Sequence, residues 1–249
     1  MKMKEKSFER RIYKNAPIIE AVLDLKFDPA DNFDFAKLGT SFRENYAHEY
    51  PKVLKQGQNN LILECSENPQ LDSITSHEGL RFMSADEKQI LQVNANGFTF
   101  SRLKPYEQWE SFRDEAERLL DIYLEIALPK NITRVALRFI NRFDFPTSSL
   151  ELSEYLKIFP QIPDIYRLNG LAMQVILDQP DIRSTLVISQ ALIPPAKPGV
   201  ISLLLDFDLF NQESRDFEKL SDFLELLHLK KNEVFESAIT DKTREMISC

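Results

Sequence analysis

At 249 residues the chain is long enough to bury a sizeable core, as one large domain or as two smaller ones. Its 43% hydrophobic and 10% aromatic content is that of a globular protein, and 28% charged residues suit an ordinary hydrated surface. The formal net charge of −8 argues against a nucleic-acid backbone as the main partner, because phosphate contacts need clustered positive charge.

Only Cys65 and Cys249 are present, which argues against a disulfide framework, and no CxxC or Cys/His ligand spacing occurs. The first fifteen residues, MKMKEKSFERRIYKN, are basic but lack the apolar run of a signal peptide. No stretch of ~18 apolar residues exists for a membrane span. The expectation is a cytoplasmic protein without a membrane partner.

In chain order, Pro17 precedes a first strand, 18–27, with Ile19, Ala21, Leu23, Leu25 and Phe27 on one face and Glu20, Val22, Asp24 and Lys26 on the other. Asp31 or Asn32 can cap a helix running to about Tyr50, with Phe35, Leu38, Phe42 and Tyr46 at helical spacing. A meander of short strands follows at 61–65, 71–76, 80–84, 88–94 and 98–103, with an Asn96-Gly97 hairpin signal. Pro105 then introduces a long amphipathic helix, 106–128. Its apolar positions Trp109, Phe112, Ala116, Leu119, Leu120, Tyr123 and Ile126 are spaced by three and four.

The strongest strand signal is 133–146, TRVALRFINRFDFP. It places Val135, Leu137, Phe139, Asn141, Phe143 and Phe145 on one face, opposite Arg134, Ala136, Arg138, Ile140, Arg142 and Asp144. Ser148 or Ser149 can cap a helix to about Phe159, and strands are expected at 170–178, 183–191 and 200–210. Helices over 214–229 and roughly 231–247 close the chain.

Each half thus reads strand, helix, antiparallel meander, long helix. The predicted fold class is α+β, built from two similar β-α-(antiparallel β meander)-α halves at 1–129 and 130–249, with the sheets covered by long helices.

Three stretches carry a resemblance: NAPIIEAVLDLKF (15–27), RVALRFINRFDFP (134–146) and LHLKKNEVFESAIT (227–240). Together they resemble a sporadically distributed family of uncharacterised prokaryotic proteins of about this length. That family has a P-[IV]-x-E-A-V start, an L-R-[YF]-x-N-R centre and an F-E-x-x-I-T end. The resemblance implies no activity. The family's patchy distribution suggests a mobile-element or phage-defence context, which is association and not chemistry.

Candidate site residues lie on the central strands. Glu20 and Asp24 stand at i, i+4 on one strand, and Arg138 and Arg142 at the same spacing on another. If these strands pair, the side chains form cross-strand ion pairs worth roughly 0.2–1 kcal/mol each. The functional alternative is an arginine-lined concavity for a carboxylate, a phosphate or an acidic segment of a partner. Asn141 interrupts an apolar face; a buried amide is costly unless satisfied, so it should bond neighbouring backbone and fix a bulge or register, with binding as the alternative.

His48, His77 and His228 fall in separate elements, and no HExxH pattern supports a metal site. Asp206 and Asp208 have a spacing that can hold a divalent cation but read as the solvated acidic face of a strand. No nucleophile elbow or phosphate-binding glycine loop is present. No cofactor and no catalytic residue is therefore expected.

The leading functional reading is a non-catalytic binding or regulatory protein, with a protein partner or a second copy of itself, in a phage-defence or toxin–antitoxin-like system. The alternatives are a metal-dependent hydrolase or nuclease, and a sensor that holds a small ligand, such as an anion, between the two halves.

Overall fold

In a computed structural model, which describes residues 11–58, 77–147, 149–163, 165–166, 168–195 and 197–248, the period-two segments become strands of one sheet. The elements in order are β1 (Ile18–Asp28), α1 (Phe35–Tyr46), β2 (Lys52–Gln58), β3 (His77–Met83), β4 (Gln89–Asn94), β5 (Gly97–Leu103) and α2 (Trp109–Ala127). Then follow β6 (Asn131–Phe145), α3 (Leu152–Tyr155), β7 (Ala172–Gln179), β8 (Ser184–Ile193), β9 (Ile201–Asn211), α4 (Leu220–Ala238) and α5 (Asp241–Ser248). The nine strands lie in the order β2-β3-β4-β5-β1-β6-β9-β8-β7, every neighbouring pair antiparallel. The fold is mixed α and β around this one sheet.

The centre of the sheet is the pair β1 and β6. Its register sets Leu23 opposite Leu137 and Ala21 opposite Phe139 on one face, and Val22 opposite Arg138 on the other. Ala21, Leu23, Leu25 and Phe27 of β1 and Val135, Leu137, Phe139, Phe143 and Phe145 of β6 are all buried. They share one core cluster with Trp109, Phe112, Leu119 and Tyr123 of α2 and with Phe223, Leu224 and Leu227 of α4. Burial of each such side chain contributes roughly 1.5–3 kcal/mol. A register shift interrupts the pair between Ile18 and Glu20, beside the position where Ile18 faces Asn141.

Several boundaries differ from the sequence expectation, each for a local reason. Helix α1 is capped by Asp34, whose Oδ1 accepts from the Lys37 N–H at 3.0 Å, and it stops at Tyr46. Beyond it Tyr50 is buried and donates its hydroxyl to Glu115 at 2.7 Å, which holds the chain out of the helix. The helix expected from Ser148 or Ser149 to about Phe159 is the single turn α3. The chain then bridges Leu156 to Ile239, and Lys157 N–H donates to the Ala238 carbonyl at 2.8 Å. That bridge also moves the break between the last two helices from about residue 230 to Ile239–Thr240. Strand β2 was not expected, and the strands expected at 61–65 and 71–76 lie outside the described residues. Among the described residues no helix is long and apolar enough to cross a membrane.

Candidate functional site

The two faces of the β1–β6 pair open onto two different concavities. On the face carrying the alternating charges, a groove of about 360 Å³ is lined by Glu20, Asp24, Thr99, Arg134, Arg138 and Asp208, among others. The sequence-predicted Glu20, Asp24 and Arg138 therefore meet in one place, and Arg142 does not line it. Arg138 stands opposite Asp208 in the β6–β9 register but bonds Asp206, two residue pairs along on the same face. Its Nε reaches Asp206 Oδ1 at 2.9 Å, and a second guanidinium nitrogen reaches Oδ2 at 2.6 Å. These hydrogen bonds raise the Arg138 pKa further above its ordinary value. Arg134 donates to Asp24 and sits 3.5 Å from Asp208. Arg142 donates to Asp144 at 3.0 Å and to the Ser202 hydroxyl at 3.1 Å.

The Asp206/Asp208 pair is not a solvated acidic face. Asp206 is buried and received by Arg138. Asp208 Oδ1 is buried without a hydrogen-bond partner among the described residues. Burial pushes the Asp208 carboxyl above the usual range; Arg134 and Arg138 oppose the shift, and the Asp206 and Asp24 charges add to it. Among the described residues no three His, Cys, Asp or Glu side chains are placed to hold a metal ion.

The second concavity lies on the core side. It is a cleft of about 440 Å³ where α2, α4, the start of β1 and β6 come together. Phe139 and Asn141 of β6 line it, with Tyr106 and Trp109 at the start of α2 and His228, Lys231 and Phe235 along α4. Residues 11–13 and 16–18 form part of its wall. Tyr13 is docked there, its ring edge-on to Phe235 at 6.3 Å and its hydroxyl donating to Glu236. Arg244 Nε also donates to Glu236, at 2.7 Å, so that carboxylate is neutralised by its own side of the molecule.

The rings in the cleft are ordered. Trp109 and His228 stack at 4.3 Å with planes 9° apart, and the indole N–H donates to Glu225 at 2.8 Å. His228 Nε2 lies 3.1 Å from the Asn232 amide nitrogen. Lys231, only 7% exposed, holds its ammonium 3.8 Å from the Phe139 ring centroid. Asn141 is buried, and its amide NH₂ donates to the Leu205 carbonyl at 3.0 Å and to the Phe139 carbonyl at 3.3 Å. The sequence expectation that Asn141 bonds neighbouring backbone thus describes one end of its amide, while the residue also lines the cleft.

Lys231 and Trp109 were not among the sequence candidates. The signal for Lys231 is its place in the apolar stripe of α4, four residues after Leu227 and three before Val234, where a hydrocarbon side chain is expected. His228 lies next to the same stripe, and Asn141 breaks the apolar face of β6. Three polar interruptions on two separate elements converge on one cleft. His48, by contrast, is exposed after α1, and His77 opens β3. Compared with known proteins, the chain matches no family model and no curated protein.

Proposed function

We propose that this chain is a non-catalytic binding protein whose ligand is a small organic molecule held in the core-side cleft. The observation that carries this reading is the convergence of Asn141, His228 and Lys231 on a cleft that the rings of Trp109, Phe139 and Phe235 also line, with Glu107, Glu110, Asn232 and Glu236 on its polar side. A concavity that sets ring-bearing residues beside convergent polar groups is a usual make-up of a small-molecule site. The groove on the opposite face supports ligand binding less well, since Asp206 already occupies the Arg138 fork and Asp24 receives Arg134.

The cleft also lies where residues 1–129 and 130–249 meet, since α2 comes from the first and α4 from the second. We infer that these segments are two copies of one unit. Outward from the central pair, β1-β5-β4-β3 and β6-β9-β8-β7 repeat the same order of connections. A ligand at the seam would then read the relative placement of the halves, as a sensor requires.

The test uses Trp109, the only tryptophan in the chain. A panel of small aromatic compounds is titrated into the protein while Trp109 emission and thermal unfolding are followed. Ligands of the cleft change both in the wild type and neither in Ala16→Phe, which fills the cleft wall. A panel that moves neither signal, or moves both equally in the filled variant, sinks the reading.

A second reading concerns a protein partner. Among the described residues the edge strand β7 pairs with β8 alone, and it exposes Ile176 (66%) and Leu177, with a single charged residue, Asp178, along it. Exposed apolar edges with few charges and no proline pair readily with another strand. We propose β7 as the seat of a partner strand. Sedimentation of the wild type against Ile176→Lys tests whether that edge associates.

A further inference from the structure

Resting on β7 as the seat of a partner strand, we infer that the strand it takes is β7 of a second copy of this chain, joined antiparallel about a two-fold axis at Ile176. The direction of the backbone groups comes first. Leu192 N–H donates to the Leu171 carbonyl at 3.0 Å, and the β7–β8 register continues directly from that pair. In an antiparallel ladder such bonded pairs recur at every second residue. Met173, Val175, Leu177 and Gln179 therefore turn their backbone N–H and C=O groups toward β8. Ala172, Gln174, Ile176 and Asp178 turn theirs to the open edge, where no other strand receives them among the described residues.

Two copies of β7 related by a two-fold pair only in registers that set these even-numbered residues opposite one another. The register centred on Ile176 faces Ile176 with itself, Gln174 with Asp178 and Val175 with Leu177. Each match suits its side chains. Ile176, 66% exposed, is covered in both copies by one contact. The Gln174 amide donates to the Ser189 hydroxyl at 3.2 Å and has a second N–H to give, which Asp178 of the other copy can accept. The single charge on the strand thus never faces itself. Moving the centre by one residue in either direction sets Ile176 opposite Gln174 or Asp178.

The core points the same way. Val175 and Leu177 stand opposite Ile188 and Leu186 of β8, which are buried in the core cluster. β7 thus carries the apolar face of the sheet one strand further, and Leu177 leaves it 38% exposed. In the pair, Leu177 packs on Val175 of the second copy and the apolar face runs on. The segment leading into β7 adds Ile165, Tyr166 and Leu168, all exposed. In an antiparallel pair this segment runs beside the turn that follows β7 in the other copy, and it enlarges an interface that one strand pair alone leaves small. The opposite edge of the sheet is built differently. β2 carries Lys52 and Lys55, the kind of charge by which an edge resists pairing. A contact from β7 to β2 would also repeat from copy to copy as an open array, whereas the two-fold closes after two.

The experiment combines sedimentation of the purified protein over a concentration series with cysteine cross-linking. Cys65 and Cys249 are replaced by serine, and Ile176→Cys and Asp178→Cys are made singly in that background. Opposed Cα atoms in a bonded pair lie about 5.5 Å apart, within reach of a disulfide. Residues 178 of the two copies are offset by four positions, roughly 13 Å along the strands. The expected result is a mass that doubles from that of the 29.0 kDa chain as concentration rises. Ile176→Cys yields a cross-linked dimer on mild oxidation and Asp178→Cys yields none. Ile176→Lys, which sets two ammonium groups against each other on the axis, stays monomeric.

Dimers that Ile176→Lys abolishes but that cross-link through Asp178→Cys and not through Ile176→Cys overturn the two-fold at Ile176 and leave the edge as the contact. Dimers that persist in Ile176→Lys overturn both. A wild type that stays monomeric overturns the second copy as the partner, and a fluorescent peptide of residues 171–180 then separates this failure from that of the edge. A peptide that binds the wild type and not Ile176→Lys leaves β7 as the seat of a strand from another protein; one that binds neither removes the edge reading as well.

Discussion

Trp109 and His228 stack face to face across the junction of α2 and α4, 4.3 Å between centroids and 9° from parallel. This contact, with the Trp109–Glu225 and Arg113–Glu225 hydrogen bonds beside it, ties the helix of the first half to the helix of the second. It also fixes one wall of the cleft. Replacing His228 with Ala removes the stacked ring from a buried position and should lower unfolding free energy by roughly 1–3 kcal/mol. Urea denaturation followed by Trp109 emission measures the loss. An unchanged midpoint together with an unchanged emission spectrum would show that the stack is absent in solution.

Asn141 is the second test of how the cleft is built. Asn141→Leu keeps the side chain's approximate volume but removes both backbone hydrogen bonds, at an expected cost of roughly 1–3 kcal/mol. Asn141→Asp also loses both donors and sets a carboxylate against the Leu205 and Phe139 carbonyl oxygens, so at pH 7 it should cost more than the leucine variant. Urea denaturation of the two variants beside the wild type checks the order.

The ion pairs on the opposite face should rank by geometry. Arg138 engages Asp206 through a two-pronged contact with the carboxylate buried, although the arginine itself is 46% exposed and partly screened by solvent. Arg138→Ala should therefore cost about 1 kcal/mol, and Arg142→Ala, whose carboxylate partner Asp144 is exposed where Asp206 is buried, no more than about 0.5 kcal/mol. Chemical denaturation at low and high salt checks the order, and the Arg138 effect should shrink as salt is added.

Asp208 makes a prediction about pH. Its folded-state pKa is raised by burial above the ordinary carboxyl value, so protonation is favoured more in the folded protein than in the unfolded chain. The stability it contributes is complete below the ordinary carboxyl range and is lost as pH rises through the raised value. Asp208→Asn should consequently be more stable than wild type at pH 7, and the difference should vanish near pH 3. Thermal melts of both proteins across this range test it; a variant less stable at pH 7 would show that Arg134 and Arg138 outweigh the burial.

The β7 edge gives the last prediction. Ile176→Lys places a charge on an exposed strand position and should leave the melting temperature within about 2 °C of wild type, since an exposed substitution changes stability by less than ~0.5 kcal/mol. Any concentration-dependent association of the wild type in sedimentation should be lost. Association that persists in the variant would place the contact elsewhere.

Much of this molecule follows from the chain alone, because period-two and period-3.6 patterns report which face of each element is apolar. Leu23 and Leu25, Phe139 and Phe143, and Leu119 and Tyr123 are buried as their spacing requires. The alternation in 133–146 also separates the charged side chains from the core before any partner strand is known. What periodicity cannot report is which strand becomes the neighbour of which, and the chemistry depends on that. Arg138 finds Asp206, and not Glu20 or Asp24, as its partner because β9 lies beside β6 in a register that brings residues 68 positions apart together. Lys231 interrupts the apolar stripe of α4, but what it meets is set only when α4 is laid against β6 and its ammonium comes to rest over Phe139. The sequence by itself determined most of the elements and their apolar faces, since those depend on neighbours three or four positions away at most, but not β2, the shortness of α3 or the break between α4 and α5. The tertiary structure alone decided that Asn141, His228, Lys231 and Trp109 share one cleft, since that depends on contacts between segments separated by most of the chain.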